Sequence, residues 1–342
     1  MASRSAVLRI LADGDFHSGT DMGRALGVTR AAVSKAVATL VEAGLEIHRV
    51  SGRGYRLENA FDPLDQNRIR AALDNAAAVP VAPIRVIEQV DSTSLELLRS
   101  SADLVCGEVC VAEAQRAGRG RRGRSWVATP YANLMLSMAW RFDGGFAAIA
   151  GLSLAAGVAT VRALREFGVE AVGLKWPNDL LWGERKLGGL LVDLRGEAAG
   201  PCLVVAGIGI NVRIAGRDAD QIDQPWIDLA AILERRVDRN RLAAELIRHL
   251  AQMFRTFERD GLAPFREEWS AWHHLEGRRV HVTGAQAVCD GVVEGIDANG
   301  ALLVRDDRGT MHVFNSGEVS VRPLDADPAR VSAASGFPRP RR

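Results

Sequence analysis

The sequence predicts a multidomain α/β chain: an N-terminal winged helix-turn-helix, a central α+β domain on a mixed sheet, and a small closed C-terminal β-barrel. Three observations predict it. Residues 1–60 hold three short helical patterns followed by a glycine-turned hairpin. Residues 81–274 alternate strand and helix patterns. Residues 275–324 are short strands between glycine turns, with almost no helical period.

In the first region, Ala6–Leu11 has apolar residues at helical spacing, and Ser18–Leu26 reads as a second helix. Gly27 interrupts the chain, Thr29 opens a third helix through Leu40, and Gly44 ends it. Glu46–Val50 and Tyr55–Leu57 alternate around Ser51-Gly52-Arg53-Gly54, a tight turn. The third helix would present Thr29, Arg30, Ser34 and Lys35 to base edges. Arg49, Arg53 and Arg56, on or beside the wing, would hold phosphates. Residues 1–60 carry eight Lys/Arg against six Asp/Glu, so basic charge is concentrated by placement and not by amount. Such domains also serve as protein-interaction modules. A single copy would bind DNA weakly, so operator affinity is expected to need a dimer.

Residues 61–80 read as a helical linker. Ile84–Val90 is a strand, and Asp91-Ser92-Thr93 leads into a helix with Thr93 and Glu96 placed as a capping box. Glu108–Ala114, Leu134–Trp140, Leu180–Trp182, Leu187–Leu194 and Cys202–Ile210 read as strands. Phe146–Phe167 reads as one long, Ala-rich buried helix, with further helices over Arg239–Phe257 and Pro264–His273. The tail, 325–342, ends in Pro-Arg-Pro-Arg-Arg and is expected to be disordered.

Composition excludes several classes. The net charge of +1 gives no strong overall field, so any nucleic-acid binding must be local. No apolar run reaches the ~18 residues of a membrane span, and no signal peptide opens the chain. The four cysteines form no CxxC pair and have no histidines at metal-ligand spacing, so a reducing cytoplasm is expected. Only three of the 43 basic residues are lysines: Lys35, Lys175 and Lys186. A lysine retained in such an Arg-rich chain points to a place where a compact ammonium does what a planar fork cannot.

The most telling segment is Gln115-Arg116-Ala117-Gly118-Arg119-Gly120-Arg121-Arg122-Gly123-Arg124-Ser125-Trp126, which follows a strand. Its five arginines would repel one another in a packed site without an anion, and its glycines let backbone N–H groups turn inward. The expected result is a loop that orders around a phosphate-bearing ligand; a basic RNA-binding or solvated loop is the alternative. Lys175-Trp176-Pro177-Asn178-Asp179 groups a cation, a flat ring and a carboxylate able to hold Mg²⁺ on ATP. Lys186-Leu187-Gly188-Gly189 begins the next strand. Gly207-Ile208-Gly209-Ile210-Asn211 ends another, with the Asn211 amide as a donor. The last lacks the third glycine and acidic residue of a dinucleotide fingerprint.

Asp-Ser-Thr-Ser at 91–94, the Arg/Gly loop at 118–124, Lys-Trp-Pro-Asn-Asp at 175–179, Arg-Lys-Leu-Gly-Gly at 185–189 and Gly-Ile-Gly-Ile-Asn at 207–211 occur in the order seen in biotin–protein ligases. The N-terminal region resembles that of the bifunctional members, which also repress the biotin biosynthetic operon. The resemblance covers roughly residues 5–323. It implies a catalytic domain of the class II synthetase/biotin ligase type and an SH3-like C-terminal barrel. It also implies that biotin and ATP form biotinyl-5′-AMP and that biotin passes to a lysine of biotin carboxyl carrier protein. By resemblance, Ser92, Thr93 and Gln115 would hydrogen-bond the ureido ring of biotin, and Ser94 and Gly207 would also belong to the biotin-binding set. Gly118, Arg119, Gly120 and Arg121 would wrap its carboxylate and the acyl phosphate, and Lys186 with Arg121 would stabilise the developing charge. Arg124, Trp126, Lys175, Asn178, Asp179 and Asn211 would serve the nucleotide, with Asp179 on its Mg²⁺. A homodimer bound to operator DNA is expected in the adenylate-bound state. Because the charged Arg119–Arg124 loop should be unstable without its anion, the adenylate is expected to order it and the ordered loop to build part of the dimer surface.

Two positions depart from the family: Phe314 stands where Trp can occur, and Arg278 or Arg279 where some members use lysine. The chain has no GxSxG, no Cys–His nucleophile pair and no Met-Lys-Met acceptor motif. The competing readings are a lipoate or octanoate ligase-like enzyme, a biotin-sensing repressor without catalysis, and a ligase with a vestigial DNA-binding domain.

Overall fold

The computed structural model describes residues 4–42, 44–74, 82–101, 104–197, 199–214, 216–284, 288–316 and 319–324. The tail 325–342, residues 75–80 of the expected linker, and Gly317 and Glu318 lie outside the described residues.

The N-terminal unit is formed by α1 (Arg4–Leu11), α2 (Gly19–Leu26), α3 (Arg30–Glu42), β1 (Ile47–Val50) and β2 (Gly54–Leu57). Ser18 accepts the Thr20 N–H to start α2, and left-handed Gly27 ends it, with its N–H on the Arg24 carbonyl and that of Val28 on Gly23. Val7, Leu11, Met22, Val33, Val37 and Leu40 close a small core under the hairpin. His17 exchanges both backbone hydrogen bonds with Tyr55, at 2.8 and 2.9 Å, which ties the wing to the start of α2. Gly54 is obligatory there: φ is +102°, and a Cβ would lie 2.0 Å from the His17 oxygen.

The central unit contains α4 (Gln66–Asp74), β3 (Ile84–Val90), α5 (Thr93–Arg99), β4 (Val109–Gln115), β5 (Leu134–Phe142), α6 (Leu152–Phe167), β6 (Val172–Lys175) and β7 (Asp179–Trp182). It continues with β8 (Arg185–Gly196), β9 (Cys202–Ile210), α7 (Leu229–Leu233), α8 (Arg239–Asp260) and α9 (Arg266–Trp272). Its strands form one mixed sheet ordered β3-β4-β5-β9-β8-β7-β6, with only β3 and β4 parallel. The two-residue period of the strands sorts their side chains. Val109, Val111, Met138, Val204 and Ala206 join the core with α6 and α8. Cys110, Ala139, Leu203 and Val205 pack with Leu97 of α5 on the other face.

Four sequence expectations change here. The expected helical linker contains α4, but its described part packs as core and not as a connector: Leu64, Ile69 and Leu73 are buried in the main core. Phe146–Phe167 is not one regular helix, because a 3₁₀ turn over Phe146–Ile149 is separated from α6 by left-handed Gly151. That stretch is long and apolar enough to span a bilayer, contrary to expectation, yet most of it is buried inside the protein, as a core helix requires. The Thr93–Glu96 capping box does not form. Ser92 is the N-cap without a side-chain cap bond, and the Thr93 hydroxyl is drawn into tertiary contacts.

The C-terminal unit has β10 (Arg279–Thr283), β11 (Val288–Ile296), β12 (Leu302–Asp306), β13 (Met311–Phe314) and β14 (Ser320–Pro323), ordered β13-β12-β11-β10-β14 and antiparallel throughout. The five strands form one antiparallel sheet, in which β13 and β14 do not pair among the described residues. Its β11–β12 turn reaches the central unit, where Trp176 Nε1 donates to the Gly300 carbonyl at 3.1 Å.

Candidate active site

A cavity of about 770 Å³ opens on the α5 face of the central sheet. Strand alternation creates it. On β9 the side chains of Ile208 and Ile210 enter the core, while Gly207 and Gly209 turn the other way and leave a floor without side chains. A Cβ on Gly209 would lie 2.6 Å from Trp126 Cε2, and one on Gly207 would lie 2.6 Å from Ser94 Oγ. Each glycine therefore admits one wall of the cavity.

The polar end is formed by Ser92, Thr93 and Ser94 at the start of α5 and by Gln115 at the end of β4. All three hydroxyl residues are buried. Thr93 donates to Gln115 Oε1 from its backbone N–H at 2.8 Å and from its hydroxyl at 3.1 Å.

The Arg/Gly segment is a closed hairpin, fastened by Gly120 N–H to the Arg124 carbonyl and Trp126 N–H to the Gly118 carbonyl, at 2.7 and 2.8 Å. Arg122 and Gly123 take left-handed φ at its tip. The expected mutual repulsion is relieved by dispersal. Arg116 reaches Gln89, Arg119 forms a two-pronged pair with Asp193 of β8, and Arg121 donates to Asn178 Oδ1 and to the Ser316 carbonyl. Burial, reinforced by the charges of Arg122 and Arg124 and opposed by Asp179, holds Arg121 below its ordinary pKa. Gly118 does not line the cavity. A Cβ there would meet the Trp126 carbonyl at 2.6 Å, so its part is to let the hairpin close.

On the opposite wall, a bulge between β7 and β8 re-aims the start of β8. Lys186 Nζ lies 2.7 Å from Asp179 Oδ1 and 5.7 Å from the Trp126 ring centroid. Lys175 sits opposite Asp179 in the β6–β7 register. Desolvation lowers its pKa, with Asp179 opposing and Lys186 adding to the shift. Asn178 is locked to β8, its Nδ2 donating to the Leu190 carbonyl at 2.6 Å. Asn211 lines the cavity, but its amide donates to the carbonyls of Lys186 and Ile227, both at 3.2 Å, so it braces the wall instead of offering those hydrogens to a ligand.

The structure thus gathers Ser92, Thr93, Ser94, Gln115, Arg119, Gly120, Arg121, Arg124, Trp126, Lys175, Asn178, Asp179, Lys186, Gly207 and Asn211 around one cavity. Sequence reasoning missed the segment 221–226, which forms a further wall. Pro225 accepts the Lys186 N–H, and Lys186 accepts the Ile227 N–H, so the segment runs as a short parallel bridge beside the start of β8. It has no periodicity, and the Pro225-Trp226 pair was its only signal. Asp193, which anchors Arg119, and Ser137, behind Thr93, were missed as well.

Far from the cavity in sequence, Arg30 and Lys35 are exposed on α3 and Ser34 is half-buried. The Thr29 hydroxyl accepts the Ala32 N–H, which makes it a helix cap. Arg53 lies 4.1 Å from the Phe16 ring centroid, a stacking contact that stiffens the wing.

Family models match along the chain in the same order as these units. An HTH domain model matches residues 3–56, the Biotin/lipoate A/B protein ligase family matches residues 86–211, and the Biotin protein ligase C terminal domain matches residues 277–322. The chain is 41% identical over 320 residues to the bifunctional ligase/repressor BirA of Salmonella typhimurium, covering 92% of this chain and 96% of that protein. To BirA of Escherichia coli it is 40% identical over 318 residues, with the same two coverages. Among solved structures it is similar to the biotin protein ligase from Aquifex aeolicus in complex with biotin and ATP. That match has TM-score 0.61 and 25% identity, and it spans 70% of this chain and 99% of the other. With the helix-turn-helix unit, the central unit and the C-terminal sheet each matched in turn, the chain belongs to the biotin protein ligase family, alongside its bifunctional ligase/repressor members.

Proposed function

We propose that the chain activates biotin with ATP, transfers it to a lysine of a biotin carboxyl carrier protein, and represses transcription through its N-terminal unit. One observation carries the catalytic part. Lys186 and Arg121 enter the same cavity as the Thr93–Gln115 polar end, so an acid anchored by its ring there would direct its carboxylate toward cations.

A carboxylate oxygen of biotin attacks the α-phosphorus of ATP, the bond from that phosphorus to the β-phosphoryl oxygen breaks, and pyrophosphate leaves. The carrier amine then attacks the carbonyl of the mixed anhydride, loses a proton, and AMP departs with the C–O bond electrons. Both steps build negative charge on phosphoryl or carbonyl oxygens, which Lys186 and Arg121 would stabilise without forming a covalent intermediate. The nucleotide would lie toward Trp126, Arg124, Lys175 and Asn178. Magnesium would arrive on the ATP phosphates. Asp179 is the carboxylate beside Lys186, and one of its oxygens is already engaged by the ammonium, so the residues fit a metal held mainly by phosphates and water.

The repressor part rests on Arg30, Lys35 and the wing arginines lying exposed or on the wing surface of a helix-turn-helix unit. A dimer assembled in the adenylate-bound state, with the Arg119–Arg124 hairpin at its surface, would supply the two-fold symmetry of an operator. Pyrophosphate exchange with biotin, lipoate or octanoate as the acid, followed by transfer to a carrier domain, tests the enzyme. Exchange with biotin is expected; exchange only with lipoate or octanoate overturns the reading. Lys35→Ala and Arg53→Ala, measured by operator binding across salt concentrations, test the DNA face.

A further inference from the structure

The polar end of the cavity continues into the sheet. Ser137, in the middle of β5, is fully buried and sits behind the cavity wall. Its Oγ is 2.7 Å from Thr93 Oγ1 and 3.1 Å from Ser94 Oγ.

The proton directions follow by elimination. A backbone N–H only donates, so the Gln115 atom that meets the Thr93 N–H is the amide oxygen. That oxygen only accepts, so the Thr93 hydroxyl gives it its single hydrogen. Thr93 Oγ1 must then accept from Ser137, and Ser137, its hydrogen used, must accept from Ser94. The chain runs Ser94 to Ser137 to Thr93 to Gln115. Its two ends line the cavity with opposite character: Ser94 Oγ has only lone pairs left, and Gln115 has its Nε2 hydrogens.

We infer that Ser137 is a positioning residue for the acid substrate. By taking the Ser94 hydrogen and giving its own to Thr93, it fixes which cavity atoms accept and which donate. It thereby selects a cyclic urea, with N–H groups for Ser94 and a carbonyl for Gln115, over an apolar ring of similar size. A dithiolane or alkyl chain would leave the buried Ser94 end and the half-buried Gln115 end unpaired, the arrangement that discriminates most strongly against analogues. Gly207 serves the same device, since a Cβ there would lie 2.6 Å from Ser94 Oγ and 3.3 Å from Ser137 Oγ. The inference rests on biotin being the acid.

Ser137→Ala, Ser94→Ala and the double variant, assayed by pyrophosphate exchange beside the unaltered chain, test it. Ser137→Ala is expected to raise KM for biotin about tenfold, leave KM for ATP and kcat unchanged, and narrow the preference for biotin over lipoate. The double variant is expected to be no worse than the weaker single. Ser137→Cys, which keeps the volume and a weak donor, is expected to fall between. It carries the same measurement if a thermal melt shows the alanine variant unfolded. Unchanged KM for biotin, a rise for both substrates together, or additive losses in the double variant would each overturn the role of Ser137. Failure of the unaltered chain to exchange pyrophosphate with biotin overturns the function itself, a result distinct from those three.

Discussion

Lys186 and Asp179 meet at 2.7 Å across the β7–β8 bulge, with the Lys186 ammonium also facing the Trp126 ring. Asp179 therefore holds the ammonium in place before any phosphate reaches it. Lys186→Met is expected to lower kcat for adenylation by about 10²–10³, the usual loss when one stabilising charge leaves a transition state. Lys186→Arg should not restore it, because a planar fork cannot occupy the compact position between Asp179 and the ring. Single-turnover formation of biotinyl-AMP separates this loss from binding.

Gly209→Ala should act through Trp126. The added methyl would lie 2.6 Å from the indole, so the ring must move off the floor of the cavity. A fall of roughly tenfold in kcat/KM for ATP, or about 1.4 kcal/mol, is expected. Tryptophan fluorescence should report the displaced ring in the same variant.

Arg239 at the start of α8 and Glu113 on β4 form a buried pair at 2.7 Å, with side chains 2% and 8% exposed. Arg239 also donates to the carbonyls of Asn133 and Asp62, and Glu113 accepts the Leu64 N–H, so the pair ties the segment after the wing to the sheet. Arg239→Ala should cost about 3–5 kcal/mol in denaturant unfolding, because it strands a buried carboxylate. Arg239→Met with Glu113→Leu should recover part of that loss.

His273 is held below the ordinary imidazole value of 6.5 by burial, with Glu276 opposing and His274 adding to the shift. Its Nε2 accepts the Trp176 N–H, which suits the neutral ring. The unfolded chain binds this proton more readily than the folded one. The contribution to stability is therefore complete above 6.5 and is lost as pH falls from there through the lower folded value. Unfolding free energy should drop over that interval, and His273→Gln should flatten the drop. An unchanged slope in the variant would count against it.

Much of the site is legible in sequence because its motifs sit where strands end, and alternation on β9 tells which glycines face away from the core. Gly207 and Gly209 could be read that way. Ser137 could not, since a lone serine in Leu-Met-Leu-Ser-Met-Ala-Trp fits an ordinary buried strand, and its partners come from α5. Thr93 misled for a related reason: its spacing to Glu96 suits a cap, but a tertiary partner claimed the hydroxyl. The wall at 221–226 has no pattern of its own. It is held by backbone contacts to Lys186, which only the folded chain supplies.

Trp176 donates to Gly300, and Arg121 donates to Ser316, so two walls of the cavity are fastened to the C-terminal sheet. A chain cut near residue 276 would keep every motif residue and still lose both fastenings. Its activity should fall sharply while much of its helix content survives, as circular dichroism beside an adenylation assay would show. The smallest working enzyme is therefore set by what holds the walls still, and not by where the last reactive group stands.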